Sequence, residues 1–150
     1  MTEDLDSTYN KIYRYCFYKM RNSVIAEDIT QEAFLKYFAQ NKNLRRGEDT
    51  AYLYTIAKNL CVDYFRKRRE EALTGDYPQE DFCDHSDTKM AVRNALERLG
   101  EQYKEILLLR YLGGLSANET AETLEISRFK VYRLEKAALA EMRKYLKGAL

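Results

Sequence analysis

Two stretches of the 150-residue chain gather side chains able to hold nucleic acid. In the first, Arg128, Lys130, Tyr132, Arg133 and Lys136 recur at helical spacing directly after Ser127. Their guanidinium, ammonium and hydroxyl donors suit phosphate oxygens and guanine edges in a major groove. In the second, Tyr52 and Tyr54 precede Lys58, Asn59, Asp63, Arg66, Arg68 and Arg69. Aromatic faces can stack on unpaired bases while cations hold the backbone, the usual grip on single strands. Each stretch also has a plainer reading: a solvated basic face in the first, and an aromatic stripe buried as core in the second.

Catalysis fits the sequence poorly. His85 is the only histidine, lies among acids, and has no Cys or Ser partner at a spacing that suggests nucleophilic chemistry. A Gly-rich phosphate loop is absent from the sequence. Cys16, Cys61 and Cys83 are odd in number, far apart and never arranged as CxxC, so neither a disulfide framework nor a zinc site can be read. The expectation is a non-enzyme of a reducing compartment, without metal or cofactor. The first residues, Met1 to Asp6, are acidic where a signal peptide is basic and then apolar, and no apolar run approaches the ~20 residues of a membrane span. A cytoplasmic location without membrane insertion is expected.

The elements that must position these side chains read as helices throughout, because apolar residues recur every three or four positions and no alternating run is flanked by hairpin turns. The expected class is all-α. Tyr9, Ile12, Cys16, Phe17 and Met20 form a first stripe, with Asp6 or Ser7 placed to cap its start. A second helix opens near Ser23 with a core stripe of Ile25, Ile29, Ala33 and Tyr37, widened by Phe34 and Phe38. Asp28, Gln31, Glu32 and Leu35 share its opposite face. The third helix begins at Asp49 or Thr50, runs to about Glu70, and is expected to bury Leu53, Ile56, Leu60 and Tyr64.

The net charge of +1 offers no global field toward nucleic acid, but the charges are segregated. Residues 41–70 hold eight Lys or Arg against four acids, and residues 128–147 hold seven against two. Between them, residues 71–88 carry six acids, no Lys or Arg, Gly75 and the only proline, Pro78. The expectation is an extended acidic linker joining a domain of residues 1–70 to one of residues 89–150. In the second domain, Asp87 or Thr88 can cap a helix carrying Ala91, Ala95 and Leu99. A further helix holds Ile106, Leu107 and Leu109 before Gly113 and Gly114 stop it. Ser116 and Glu119 have the spacing of a capping box, in which the serine hydroxyl and the glutamate carboxylate each satisfy an orphan amide.

A short helix from Ala117 to Leu124, a three-residue turn, and a longer basic helix capped by Ser127 make a helix-turn-helix pattern. Ala121 sits where the helices would cross, with Leu124, Ile126, Val131 and Leu134 inside. By itself this half suits a stand-alone regulator that dimerises on duplex DNA, a reading that leaves residues 1–70 unexplained.

Three segments in order carry a resemblance that covers both halves: Asp28 to Phe38 (DITQEAFLKYF), Tyr52 to Arg69, and the terminal helix-turn-helix. Together they resemble bacterial sigma factors of the extracytoplasmic-function group, whose patterns are DxxQExF, WLYxIAxNxxxDxxRxxxR and LSxxEIAxxLxIS. The resemblance implies two helical domains, sigma regions 2 and 4, and a function in promoter-directed transcription initiation. It implies that Asp28, Gln31, Glu32 and Leu35 dock on the β′ clamp helices of core RNA polymerase. Tyr52, Tyr54, Lys58, Asn59, Asp63 and Arg66 match positions that open and read the minus-ten element, leaving Arg68 and Arg69 for phosphates. Ser127, Arg128, Lys130, Tyr132, Arg133 and Lys136 match the minus-thirty-five reader. Further implied partners are the β flap, promoter DNA and an anti-sigma factor, and the acidic linker is implied to thread the polymerase channel. The chain departs from the pattern with Tyr52 for Trp, Gly100 for Pro, Lys130 for Thr, and Glu125 where such turns often have Gly.

Overall fold

Apolar spacing of three and four predicts helices, and the computed structural model, which describes residues 2–40, 46–71 and 87–149, bears this out. Among these residues there are seven α-helices, one π-helical turn and no strand. None of the described helices is long and apolar enough to cross a membrane. The chain divides into two compact units, residues 1–82 and 83–150.

In the first unit α1 (Thr2–Met20), α2 (Ser23–Gln40) and α3 (Arg46–Glu71) each pack on the other two. Small side chains let the backbones approach: Cys16 on α1, Ala26 and Ala33 on α2, Ala57 and Cys61 on α3 are all buried. Aromatic rings fill the remaining space, with Tyr15 and Tyr54 meeting edge to face, 5.5 Å between centroids. Such a pair adds ~0.5–1.5 kcal/mol beyond the area it buries. Thr30 is buried among apolar groups but donates its hydroxyl to the Ala26 carbonyl at 2.6 Å, which spares the unit an unsatisfied polar atom. The turn after α1 is sharp because Arg21 takes the left-handed conformation (φ 57°), and the Asn22 side chain then accepts from the Ile25 amide to cap α2.

The sequence expectations need several corrections here. Helix α1 starts at Thr2, ahead of the caps sought at Asp6 and Ser7. Phe38 does not widen the core stripe of α2 but stands exposed, its ring 5.3 Å from that of Tyr37. The buried edge of α3 is Leu53, Tyr54, Ala57 and Cys61, while Ile56, Leu60 and Tyr64 lie half-buried along its flank. The core face is rotated toward the smaller side chains, which permit closer helix packing than a leucine and isoleucine edge. Helix α3 begins at Arg46, not Asp49 or Thr50. Of the expected linker, Glu71 ends α3 and Asp87 opens α4, and residues 72–86, with His85 and Cys83, lie outside the described residues.

In the second unit α4 (Asp87–Arg98), α5 (Glu101–Leu107), α6 (Ala117–Leu124) and α7 (Arg128–Ala149) are arranged so that α4, α5 and α6 all contact α7. Helix α5 runs on into a π-helical turn, Leu108–Leu112, closed by the Gly113 amide donating to the Leu108 carbonyl at 2.9 Å. Gly114 then turns left-handed (φ 68°), a conformation glycine adopts without steric cost, and ends the segment. The core joins Ile106, Ala117, Val131 and Leu134, with Ala121, Leu124 and Ile126 packed partly buried against it. Arg110 ties the π-helical turn to α7, its Nε donating to Glu135 Oε1 at 2.7 Å while Nη1 donates to the Leu115 carbonyl.

The capping box is formed as its spacing requires: Glu119 N donates to Ser116 Oγ and Ser116 N to Glu119 Oε1. At the other end of α6, Glu125 occupies the left-handed region (φ 57°, ψ 45°). Its amide reaches Glu122 O and the Ile126 amide reaches Ala121 O, so the helix closes in the double-bonded C-terminal motif that usually employs glycine. The departure from Gly at this position therefore leaves the turn geometry intact and stores backbone strain instead. Glu125→Gly is expected to raise the stability of this unit by ~0.5–1 kcal/mol, the steric relief less the added chain entropy. A denaturant midpoint for the second unit that falls or stays unchanged would contradict this.

Candidate functional site

Three exposed surfaces carry the side chains singled out from the sequence. On α2, Ala26, Ile29, Ala33 and Tyr37 face inward, leaving Asp28, Gln31, Glu32 and Leu35 on the outer face. Leu35 is 70% exposed. Its neighbours along the helix are informative, because Val24 and Phe38 are also exposed and complete an i, i+4, i+7, i+11, i+14 row with Asp28, Gln31 and Leu35. An apolar row threaded with short polar groups is suited to covering by another protein. Val24 and Phe38 were missed from sequence, although the outward phase of both positions against the Ala26, Ile29, Ala33 seam could have revealed them.

On α3 the outward row runs through Tyr52, Asn59, Asp63 and Arg66, with Arg69 at its far end. Tyr52 is half-buried; its hydroxyl donates to Gln40 Oε1 at 2.6 Å and its ring lies 6.2 Å from that of Tyr37. Ring and hydroxyl are thus both held by α2. Asp63 and Arg66 are paired at 3.5 Å in full solvent, a contact worth little to stability and easily exchanged for another partner. Lys58 and Arg68 are half-buried, and Arg68 stands over the Tyr64 ring at 5.6 Å. Val62 and Phe65 are also exposed on α3 and were not anticipated.

Tyr54 does not join this surface. It is fully buried between the helices, and burial pushes its phenol well above the ordinary tyrosine range, so it stays neutral. The assignment of Tyr54 to base reading is corrected for this conformation: its ring braces the unit against Tyr15. Its hydroxyl finds no hydrogen-bond partner among the described residues. Tyr54→Phe is therefore expected to keep or raise the thermal midpoint, relieving about 1 kcal/mol of desolvation cost. A clear fall in the midpoint would show that the hydroxyl makes a bond.

The third surface is the outer side of α7. Ser127 caps the helix, its Oγ accepting from the Lys130 amide at 3.1 Å. Arg128, Tyr132, Arg133 and Lys136 are exposed and Lys130 is half-buried, while Val131, Leu134 and Ala138 face inward. Arg128 Nη1 reaches Asn118 Oδ1 on α6 at 3.5 Å. The short helix, left-handed turn and basic helix thus present donors on a surface able to enter a major groove. Phe129, 88% exposed, lies among them and was overlooked. Its phase, outside the Val131, Leu134, Ala138 seam, was the available signal. Among the described residues no group of three His, Cys, Asp or Glu side chains could hold a metal ion.

Comparison with known proteins returns two family matches: sigma-70 region 2 over residues 5–71 and sigma-70 region 4 over residues 89–142. The ECF RNA polymerase sigma factor BldN of Streptomyces coelicolor is 31% identical over 94% of this chain and 58% of its own length. SigX of Bacillus subtilis, also an ECF RNA polymerase sigma factor, is 26% identical over 94% of this chain and 80% of its own. RNA polymerase sigma factor SigV of the same organism is 30% identical over 73% and 69%. The chain thus spans little more than half the length of the Streptomyces relative. Among solved structures, the sigma factor RpoE of Bartonella quintana, in complex with the anti-sigma factor NepR, has the same fold. Its TM-score is 0.79 at 20% identity, covering 97% of this chain and 96% of that one.

Proposed function

The chain belongs to the sigma-70 family, in the extracytoplasmic-function group, and from that membership we propose that it binds core RNA polymerase and directs transcription initiation at a particular set of promoters. In this reading α2 docks on the β′ clamp helices through Asp28, Gln31, Glu32 and Leu35, with Val24 and Phe38 extending the contact. Tyr52, Lys58, Asn59, Asp63 and Arg66 engage the opened minus-ten strand, and Arg68 and Arg69 hold its backbone. Arg128, Lys130, Tyr132, Arg133 and Lys136 meet the minus-thirty-five duplex, while the second unit contacts the β flap. An anti-sigma protein is a further partner, and the cytoplasm is the compartment in which the polymerase is met. The protein performs no reaction of its own; the polymerase supplies the chemistry.

The observation that carries the proposal is the outer row of α2, where Leu35 stands exposed among Asp28, Gln31 and Glu32 on a helix whose other face is already packed. A stand-alone duplex-binding regulator has no use for that row, nor for the aromatic and basic face of α3. Co-purification of the full chain with core polymerase tests the reading. A stoichiometric complex is expected, and failure to associate under low-salt conditions would refute it.

A further inference from the structure

Single apolar side chains are common on protein surfaces, but the setting of Phe129 sets it apart. At 88% exposed it stands outermost of the large apolar side chains among the described residues. It is the second residue of α7, and Phe129, Tyr132, Arg133 and Lys136 follow the i, i+3, i+4, i+7 spacing of one helix face. Val131, Leu134 and Ala138, all buried, occupy the opposite face. The ring is therefore aimed directly away from the core it could have joined.

Its surroundings select the kind of partner. Arg128, Lys130, Arg133 and Lys136 encircle it in sequence and phase, and no carboxylate pairs with any of the four among the described residues. An apolar protein pocket would have to bury those cations beside the ring at high cost. DNA neutralises them with phosphates, and the apolar group it offers on the floor of the major groove is the thymine 5-methyl. The first turn of the second helix of a helix-turn-helix is also the part that reaches the base edges.

We infer that Phe129 reads a thymine 5-methyl group in the minus-thirty-five element, as the apolar member of a face whose cations meet the flanking phosphates and base edges. The inference rests on the assignment of α7 as the promoter-reading helix. It supplies a specificity element that donors alone lack, because a methyl contact distinguishes thymine from cytosine and from uracil.

The test uses holoenzyme assembled from the full chain and core polymerase. A promoter is selected from templates randomised in the upstream duplex, and each thymine of the selected element is replaced singly by deoxyuridine, which removes only the methyl group. One replacement is expected to weaken the parent holoenzyme about fourfold, the worth of one buried methyl group, and to leave Phe129→Ala unaffected. Equal responses of parent and variant at every position, or a selected element without thymine, would overturn the inference. Weaker assembly of Phe129→Ala with core, at unchanged thymine response, would overturn it by making the ring a protein contact. Arg133→Ala separates the inference from the assignment beneath it. If Arg133→Ala alters preference at one base and Phe129→Ala at none, the methyl contact is wrong and the reading helix stands. If neither alters any position, nor do Arg128→Ala and Lys130→Ala, the assignment of α7 itself fails.

Discussion

Gln31→Ala combined with Leu35→Asp is expected to lower the affinity for core polymerase at least a hundredfold while leaving helicity unchanged. Both side chains are exposed on α2, so neither supports the packing of the first unit. At the centre of an interface, a leucine that becomes a carboxylate loses its own burial, ~1.5–3 kcal/mol, and places an unpaired charge among desolvated groups. Truncating Gln31 removes a hydrogen-bonding group from the same row. A combined loss of ~2.7 kcal/mol already corresponds to the hundredfold change. Fluorescence anisotropy with labelled protein measures the affinity and circular dichroism the fold. A folded double mutant that binds core like the parent would show that the outer row of α2 is not the docking surface.

The second large effect is on the stability of the second unit. Arg110→Ala is expected to destabilise it by ~2–3 kcal/mol, below the upper range for buried pairs because both partners keep some access to solvent. The variant leaves the Glu135 carboxylate, 14% exposed, without its 2.7 Å partner and strips the Leu115 carbonyl of its donor. The two features it ties together are the π-helical turn and α7, so the loss is felt where α7, the helix proposed to meet promoter duplex, is held. Promoter-specific transcription should fall while core binding through the first unit persists. Replacing both members, Arg110→Met with Glu135→Leu, should recover most of the stability because no charge is left unpaired. Separate unfolding transitions of the two units, followed by calorimetry, measure this; an unchanged second transition in Arg110→Ala would remove the pair from the account.

Much of this architecture was legible in the sequence where local rules act alone. The capping box of Ser116 and Glu119, the Ser127 cap and the Gly114 stop each depend on groups within a few residues, and each formed as read. The rotation of α3 was not legible, because Leu53 belongs to both candidate edges and the choice between Ala57 with Cys61 and Ile56 with Leu60 depends on what α1 and α2 bring opposite. Tyr54 fails for the same reason: tyrosine serves equally as platform or core, and only Tyr15 across the interface decides. The π-helical turn could not be foreseen, since its i to i+5 bond adds no distinctive residue pattern to Leu108–Leu112. Glu125 offered a different lesson. A residue ill suited to the left-handed region still occupies it when paired backbone bonds from both Glu125 and Ile126 hold the turn.

The most direct test is whether the chain confers promoter choice on a polymerase that lacks it. Transcription of a genomic fragment library by core polymerase, with and without the purified chain, measures this in one experiment. A discrete set of new start sites is expected only when both are present, with little specific duplex binding by the chain alone. Sequence-specific binding of duplex fragments by the chain alone, with no new start sites on adding core, would contradict it and leave a free-standing helix-turn-helix regulator.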